Sequence, residues 1–156
     1  MKVGFYAGSF DPFTIGHLHV VKVASKLFDK VVVAIGKNPS KKSRYDKEQM
    51  KLAIDQVMKD ENLSNVECVV YNGLTADVAI SLGASYLIRG IRNGMDYEAE
   101  ENLALINEEI SGIDTIYIRA GKLGMVSSSM VYELILNGKD VEKYLPRAVV
   151  DLISKS

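Results

Sequence analysis

Four short stretches of this chain gather hydroxyls, cations and a histidine in patterns that could hold phosphate groups. The first is Gly8-Ser9-Phe10-Asp11-Pro12-Phe13-Thr14-Ile15-Gly16-His17, directly after the apolar run Val3 to Ala7. A short strand, a glycine turn and a helix start make up a nucleotide-binding layout. Gly8 permits a tight turn and a close approach of phosphate to the backbone. Ser9 supplies a hydroxyl and a backbone N–H. Thr14 is a good N-cap, so the helix runs from about Gly16 and His17 falls in its first turn. Free N–H groups and the helix dipole favour anions there, and the imidazole can donate to a phosphate oxygen. The plainer alternative is a glycine turn followed by a surface histidine.

The second stretch, Lys37-Asn38-Pro39-Ser40-Lys41-Lys42-Ser43-Arg44, concentrates positive charge after the second predicted strand. It would bind phosphates entering a cleft, or simply be a solvated lysine loop. In the third, Leu87-Ile88-Arg89-Gly90-Ile91-Arg92-Asn93-Gly94-Met95-Asp96-Tyr97-Glu98, a strand ends in two arginines separated by a glycine and an isoleucine. Arginine forks match phosphate oxygens. Pairing of Arg89 and Arg92 with Asp96 or nearby glutamates is the structural alternative. The fourth, Val126-Ser127-Ser128-Ser129, places three hydroxyls at a helix start, where they form an anion cradle or merely an N-cap.

The elements that must position these groups are legible as alternating apolar runs and helical patterns. Strands are predicted at Lys2–Ala7, Lys30–Ile35, Val66–Tyr71, Tyr86–Ile88 and Thr115–Arg119. Continuous β-branched runs such as Val31-Val32-Val33-Ala34-Ile35 suit strands buried on both faces of a parallel sheet. Helices are predicted near 16–28, 46–60, 75–83, 97–111, 128–137 and 146–154. Asp46 with Gln49 resembles a capping box, Asp96 precedes an acidic first turn, Asn137-Gly138 marks a helix stop, and Pro146 could start the last helix. The order implies an α/β, doubly wound, Rossmann-like parallel five-stranded sheet with helices on both faces.

The bulk properties bound the remaining classes. With 156 residues, 47% of them apolar, a single globular domain spanning 1–156 is expected. The formal net charge of −1 argues against a broad nucleic-acid footprint. The one cysteine, Cys68, lies in an apolar run and reads as a core thiol, which excludes an intrachain disulfide framework. Met1-Lys2 leads straight into a strand pattern, with no signal peptide and no apolar run near the roughly 20 residues of a membrane span, so a cytoplasmic protein with no membrane partner is expected.

Taken in order, the motifs resemble those of the nucleotidylyltransferase superfamily with its TxGH motif, and within it the bacterial phosphopantetheine adenylyltransferase family. The first stretch resembles G-[ST]-F-D-P-x-T-x-G-H, the third [IV]-R-G-[IL]-R followed by D-[FY]-E, and the fourth [IV]-S-S-S. Asp140-Val141 and Tyr144-Leu145-Pro146 also resemble the family's C-terminal run. The resemblance implies transfer of the adenylyl group of ATP to 4′-phosphopantetheine, giving dephospho-coenzyme A and pyrophosphate. It implies that His17 stabilises the transition state and that Lys41 and Arg89 hold the acceptor phosphate, with Ser9 and Thr75 also in the acceptor site. Ser9, Phe10, His17, Gly90, Ile91, Arg92, Glu100, Leu123, Gly124, Met125, Val126, Ser127, Ser128 and Ser129 fall at its ATP-binding positions. Magnesium is implied on the triphosphate, held by phosphates and water rather than by protein ligands, and the assembly implied is a homohexamer. Leu103, Leu105, Ile106 and Ile110 would serve a subunit contact or only the core. Ala7, Leu123 and Ala99 depart from the family's usual residues. The alternatives are another nucleotidylyltransferase, such as a glycerol-phosphate cytidylyltransferase, and a non-catalytic ATP sensor on the same fold. Against the first, the segment Ala120 to Val126 lacks an arginine that those enzymes usually carry. Against the second, His17, Lys41, Arg89 and Arg92 are intact.

Overall fold

The computed structural model describes residues 1–37, 40 and 42–155, with backbone alone at 95, 96 and 99. Five parallel strands, β1 (Val3–Gly8), β2 (Lys30–Gly36), β3 (Val66–Tyr71), β4 (Tyr86–Ile91) and β5 (Asp114–Arg119), form one sheet in the order β3-β2-β1-β4-β5. The helices are α1 (Ile15–Leu27), α2 (Lys47–Asp60), α3 (Thr75–Ser81), α4 (Gly94–Ser111), α5 (Ser128–Leu136) and α6 (Arg147–Ser154). The expected Rossmann-like architecture is therefore present.

Strand alternation feeds two cores. On one face Tyr6, Val31, Val33 and Ile35 pack with Val20, Val21, Met50, Ile54, Val131 and Val149 from α1, α2, α5 and α6. On the other, Val3, Phe5, Ala7, Val32 and Ala34 pack with Ala76 and Ala79 of α3 and with Ile113. Cys68 is a buried, free thiol, and burial followed by the neighbouring Asp55 carboxylate pushes it up to about 12. That is a core thiol, as expected.

Two boundaries bear on the site. Strand β4 runs to Ile91 rather than ending at Ile88, because Arg89, Gly90 and Ile91 pair with Tyr117, Ile118 and Arg119 of β5. Arg89 and Gly90 are thus strand residues, and only Arg92 lies beyond. Helix α4 begins at Gly94, ahead of Asp96, so Asp96 lies inside its first turn and does not precede it. Pro146 is the N-cap of α6 rather than its first residue, and Thr14 caps α1 as expected. Asp46 caps α2 by accepting from the Gln49 N–H, but among the described residues the returning Gln49 side-chain bond of a capping box is absent. Gly138, at φ 71°, ends α5 after Asn137. Leu103, Leu105, Ile106 and Ile110 are all more than half exposed, so they are not core residues.

Candidate active site

The site follows from how the sheet splits. Strand β1 stays paired with β2 through Gly8 and Ile35, and β4 stays paired with β5 through Ile91 and Arg119. Between β1 and β4, however, pairing stops at Tyr6 and Ile88. The two halves diverge beyond that point, at the carboxyl ends of the central strands, where such folds bind ligands. The Arg89 side chain bridges the gap, its Nη1 donating to the Ala7 carbonyl over 2.6 Å. A cavity of about 260 Å³ opens there, lined by Ser9, Phe10, His17, Arg89, Gly90, Arg92 and Val126 to Ser129, among others. A second, wider lobe of about 530 Å³ shares Ala7, Gly8, Ser9 and Arg89 with the first. It extends over β2 and β3, past Lys37, Tyr71, Gly73 and Thr75.

His17 sits in the first lobe as the third residue of α1. The Thr14 side chain accepts from the His17 backbone N–H, and the Thr14 backbone N–H donates back to His17 Nδ1 over 2.9 Å. This reciprocal cap is a capping box with histidine in the place of glutamate. An Nδ1 that accepts must carry the lone pair, so the neutral ring carries its proton on Nε2. Phe10 meets the ring edge-on at 5.0 Å and Phe13 stacks on it at 5.5 Å, which fixes its plane. Burial first, then the charges of Arg92 and Arg89, push the imidazolium down to about 4. His17 is therefore a neutral, oriented donor near neutral pH.

Phe10 also explains Gly8. A Cβ at Gly8 would lie 3.0 Å from the tip of the Phe10 ring. Phe10 itself adopts φ 44°, a conformation unfavourable for a bulky residue. The expectation that Gly8 makes the turn is thus corrected. Gly8 ends β1 and gives room for Phe10, and the positive φ falls two residues later. Gly90 likewise makes room for α1, since a Cβ there would stand 3.1 Å from Val20.

Arg89 is held by Glu100 of α4 through two parallel bonds, Nε to Oε2 at 2.6 Å and Nη2 to Oε1 at 2.8 Å. Burial opposes the arginine charge, but the Glu100 carboxylate outweighs it and raises the guanidinium's pKa. This ion pair is the structural alternative weighed for Arg89. It leaves Glu100 facing the arginine from outside the cavity lining, while Arg89 still borders both lobes.

The three serines divide three tasks. Ser127 is the N-cap of α5, accepting from the Met130 N–H at 3.1 Å. Ser128 donates to the Pro12 carbonyl at 2.7 Å and ties α5 to the first loop. Ser129 is exposed, and among the described residues its hydroxyl has no internal partner. Gly16 allows this approach, because a Cβ there would meet the Val126 carbonyl at 3.2 Å.

Ile91, Leu123, Gly124 and Met125 do not line either lobe. Met125 is 73% exposed, and Leu123 contributes its carbonyl to the turn that leads into α5. Thr75 does border the second lobe, with its hydroxyl 2.9 Å from that of Tyr71. Lys41 lies outside the described residues. Sequence reasoning missed Tyr71, and it included Lys37 only as part of the basic stretch 37–44, without singling it out. Both immediately follow or end a strand at the sheet's carboxyl edge, and that position was the available signal.

The cytidylyltransferase-like family model matches residues 5–134. A phosphopantetheine adenylyltransferase of Streptococcus pyogenes serotype M2 is 43% identical over 99% of this chain and 95% of its own. One from Leuconostoc mesenteroides is 38% identical over 99% and 96%. The chain belongs to the phosphopantetheine adenylyltransferase family. A solved structure from Vibrio parahaemolyticus, ascribed to a nicotinate-nucleotide adenylyltransferase, superposes with a TM-score of 0.73 at 20% identity. It covers 99% of this chain and 93% of its own, and at that identity it speaks for the fold alone. Membership of the adenylyltransferase family places the His17 cavity and its neighbouring lobe within a nucleotidyltransferase. Among the described residues no helix is long and apolar enough to cross a membrane.

Proposed function

We propose that the chain transfers the adenylyl group of ATP to 4′-phosphopantetheine, with ATP in the His17 lobe and the acceptor in the Thr75 lobe. The observation that carries this reading is the shared wall of Ala7, Gly8, Ser9 and Arg89, which brings two ligands together beside a fixed donor. An acceptor phosphate oxygen attacks the α-phosphorus of ATP. The bond from that phosphorus to the β-phosphate bridging oxygen breaks, and pyrophosphate leaves. His17 Nε2 donates to the α-phosphate oxygens as charge shifts among them. Arg92 and the serines hold the triphosphate, and Arg89 with Lys41 holds the attacking phosphate. Catalysis is then positioning and electrostatic stabilisation, without a covalent enzyme intermediate.

Magnesium is assigned to the triphosphate and water. Among the described residues no group of three or more His, Cys, Asp or Glu could hold an ion, and Glu100 is engaged by Arg89. The bound ion would shield phosphate charge. Exposed Leu103, Leu105, Ile106 and Ile110 support the homohexamer that the resemblance implies, to be read by light scattering. The test of the reaction is pyrophosphate release with ATP and 4′-phosphopantetheine, run beside CTP and glycerol phosphate. Turnover only with the second pair, or ATP binding without turnover, overturns the reading.

A further inference from the structure

Asp11 stands in the middle of the first motif, and the chemistry described so far gives it no part. Both oxygens of its carboxylate are engaged by the chain ahead of α2. Oδ2 accepts the Arg44 backbone N–H at 2.7 Å, and Oδ1 accepts the Tyr45 backbone N–H at 3.0 Å. The Arg44 side chain returns the contact, its Nη1 donating to the Asp11 carbonyl at 3.0 Å. The same guanidinium lies over the Tyr132 ring of α5, 4.7 Å from its centre, and Tyr132 meets Tyr45 edge-on at 6.3 Å. A carboxylate with both oxygens on backbone N–H groups is placed neither to take a proton nor to hold a cation. It is placed to fix a backbone.

The backbone it fixes is the carboxyl-terminal stem of the basic segment 37–45. The other stem is fixed by the sheet, where the Lys37 N–H donates to the Tyr71 carbonyl at 2.9 Å. Lys37 and Tyr71 border the Thr75 lobe. We infer that Asp11 is a positioning residue for acceptor binding: it clamps the basic segment to the catalytic loop and thereby sets affinity in the Thr75 lobe. Charge-assisted bonds to a carboxylate are the strong ones, so losing two loosens the stem, which then keeps the Arg44 side-chain contacts and the packing of Tyr45 on Tyr132. The ATP lobe is lined by β1, by Ser9 and Phe10 of the same loop, by β4, α1 and the start of α5. This part of the loop has ties that do not pass through the Asp11 carboxylate, including Ser128 to Pro12 and the packing of Phe10 on Tyr6 and His17. The clamp therefore bears chiefly on the acceptor. This inference rests on the acceptor reading above.

The test compares wild type with Asp11→Ala, and with Asp11→Asn as the less disruptive change. Each is assayed for acceptor KM, for ATP affinity by calorimetry, and for trypsin cleavage between residues 37 and 44, with circular dichroism as the check on folding. Asp11→Ala should raise acceptor KM about tenfold or more, equivalent to roughly 1.4 kcal/mol. ATP affinity should stay within about twofold, and cleavage in the segment should accelerate. Asp11→Asn should move the same readings in the same direction and carries the test if the alanine variant does not fold. Unchanged acceptor KM, unchanged cleavage, or an equal loss of ATP affinity overturns the inference. If wild type itself fails to use 4′-phosphopantetheine, the acceptor reading falls, and cleavage still decides whether Asp11 holds the stem.

Discussion

The Thr14 backbone N–H donates to His17 Nδ1 across 2.9 Å, so a main-chain group fixes which imidazole nitrogen faces the cleft. Depression of the imidazolium to about 4 has the same sense, since a protonated Nδ1 would turn the Thr14 N–H against another donor. In the free enzyme His17 should therefore titrate near 4 by ring-proton NMR, and stay neutral from pH 5 upward. The sign for stability follows. The unfolded histidine, near 6.5, takes up its proton before the folded one, so His17 lowers stability as pH falls from about 6.5 toward 4. A midpoint near 6.5 in the folded protein would remove the fixed tautomer. His17→Ala should lower kcat by roughly 10²-fold or more, with a much smaller effect on ATP affinity.

The bidentate pair between Arg89 and Glu100 gives a second test. Truncating Glu100→Ala leaves a half-buried guanidinium with one internal bond among the described residues, to the Ala7 carbonyl. Turnover and acceptor affinity should fall about tenfold or more, because Arg89 loses its orientation toward the shared wall. ATP affinity should change less than about threefold on the same reasoning. Calorimetry with ATP alone separates this from the resemblance-implied role of Glu100 as a direct ATP contact, which would make ATP binding the larger loss.

Gly8→Ala probes the room beneath Phe10. The added methyl meets the ring at 3.0 Å, and Phe10 is already at φ 44°, so the ring that packs against His17 must shift. The variant should lose about 1–3 kcal/mol of stability by thermal unfolding, and kcat should fall with ATP binding largely retained. A variant with wild-type stability and kcat would show that the Phe10 ring moves without consequence.

The fold was legible because burial speaks through residue type. Val31 to Ile35 could only be a doubly covered strand, and Thr14, Asp46 and Asn137-Gly138 are local caps whose partners lie within a few residues. The site was legible where the motif and the element that carries it coincide, as at His17 and Ser127. What stayed hidden was set by distant chain. Strand β4 extends past Ile88 because β5, more than 20 residues on, pairs with it. The choice of Glu100 over other carboxylates as the Arg89 partner depends on where α4 begins. The need for glycine at position 8 comes from a ring two residues later that adopts an unusual backbone angle. No pattern of polarity encodes any of these.

The three serines at the start of α5 should separate by readout. Ser127→Ala removes the N-cap bond to Met130, costing about 1 kcal/mol and roughly 2–4 °C in Tm, with little change in ATP affinity. Ser129→Ala removes an exposed hydroxyl that borders the cavity without an internal partner among the described residues. It should leave Tm unchanged and weaken ATP by about three- to tenfold, the scale of one hydrogen bond. Ser128→Ala cuts the tie to the Pro12 carbonyl that joins α5 to the loop carrying Phe10 and Thr14, so both readings should move. Thermal unfolding and ATP calorimetry on the three variants decide the matter. If all three shift Tm alike and none shifts ATP affinity, the serines are a helix cap and nothing more, and the triphosphate must be held by Arg92 and backbone N–H groups.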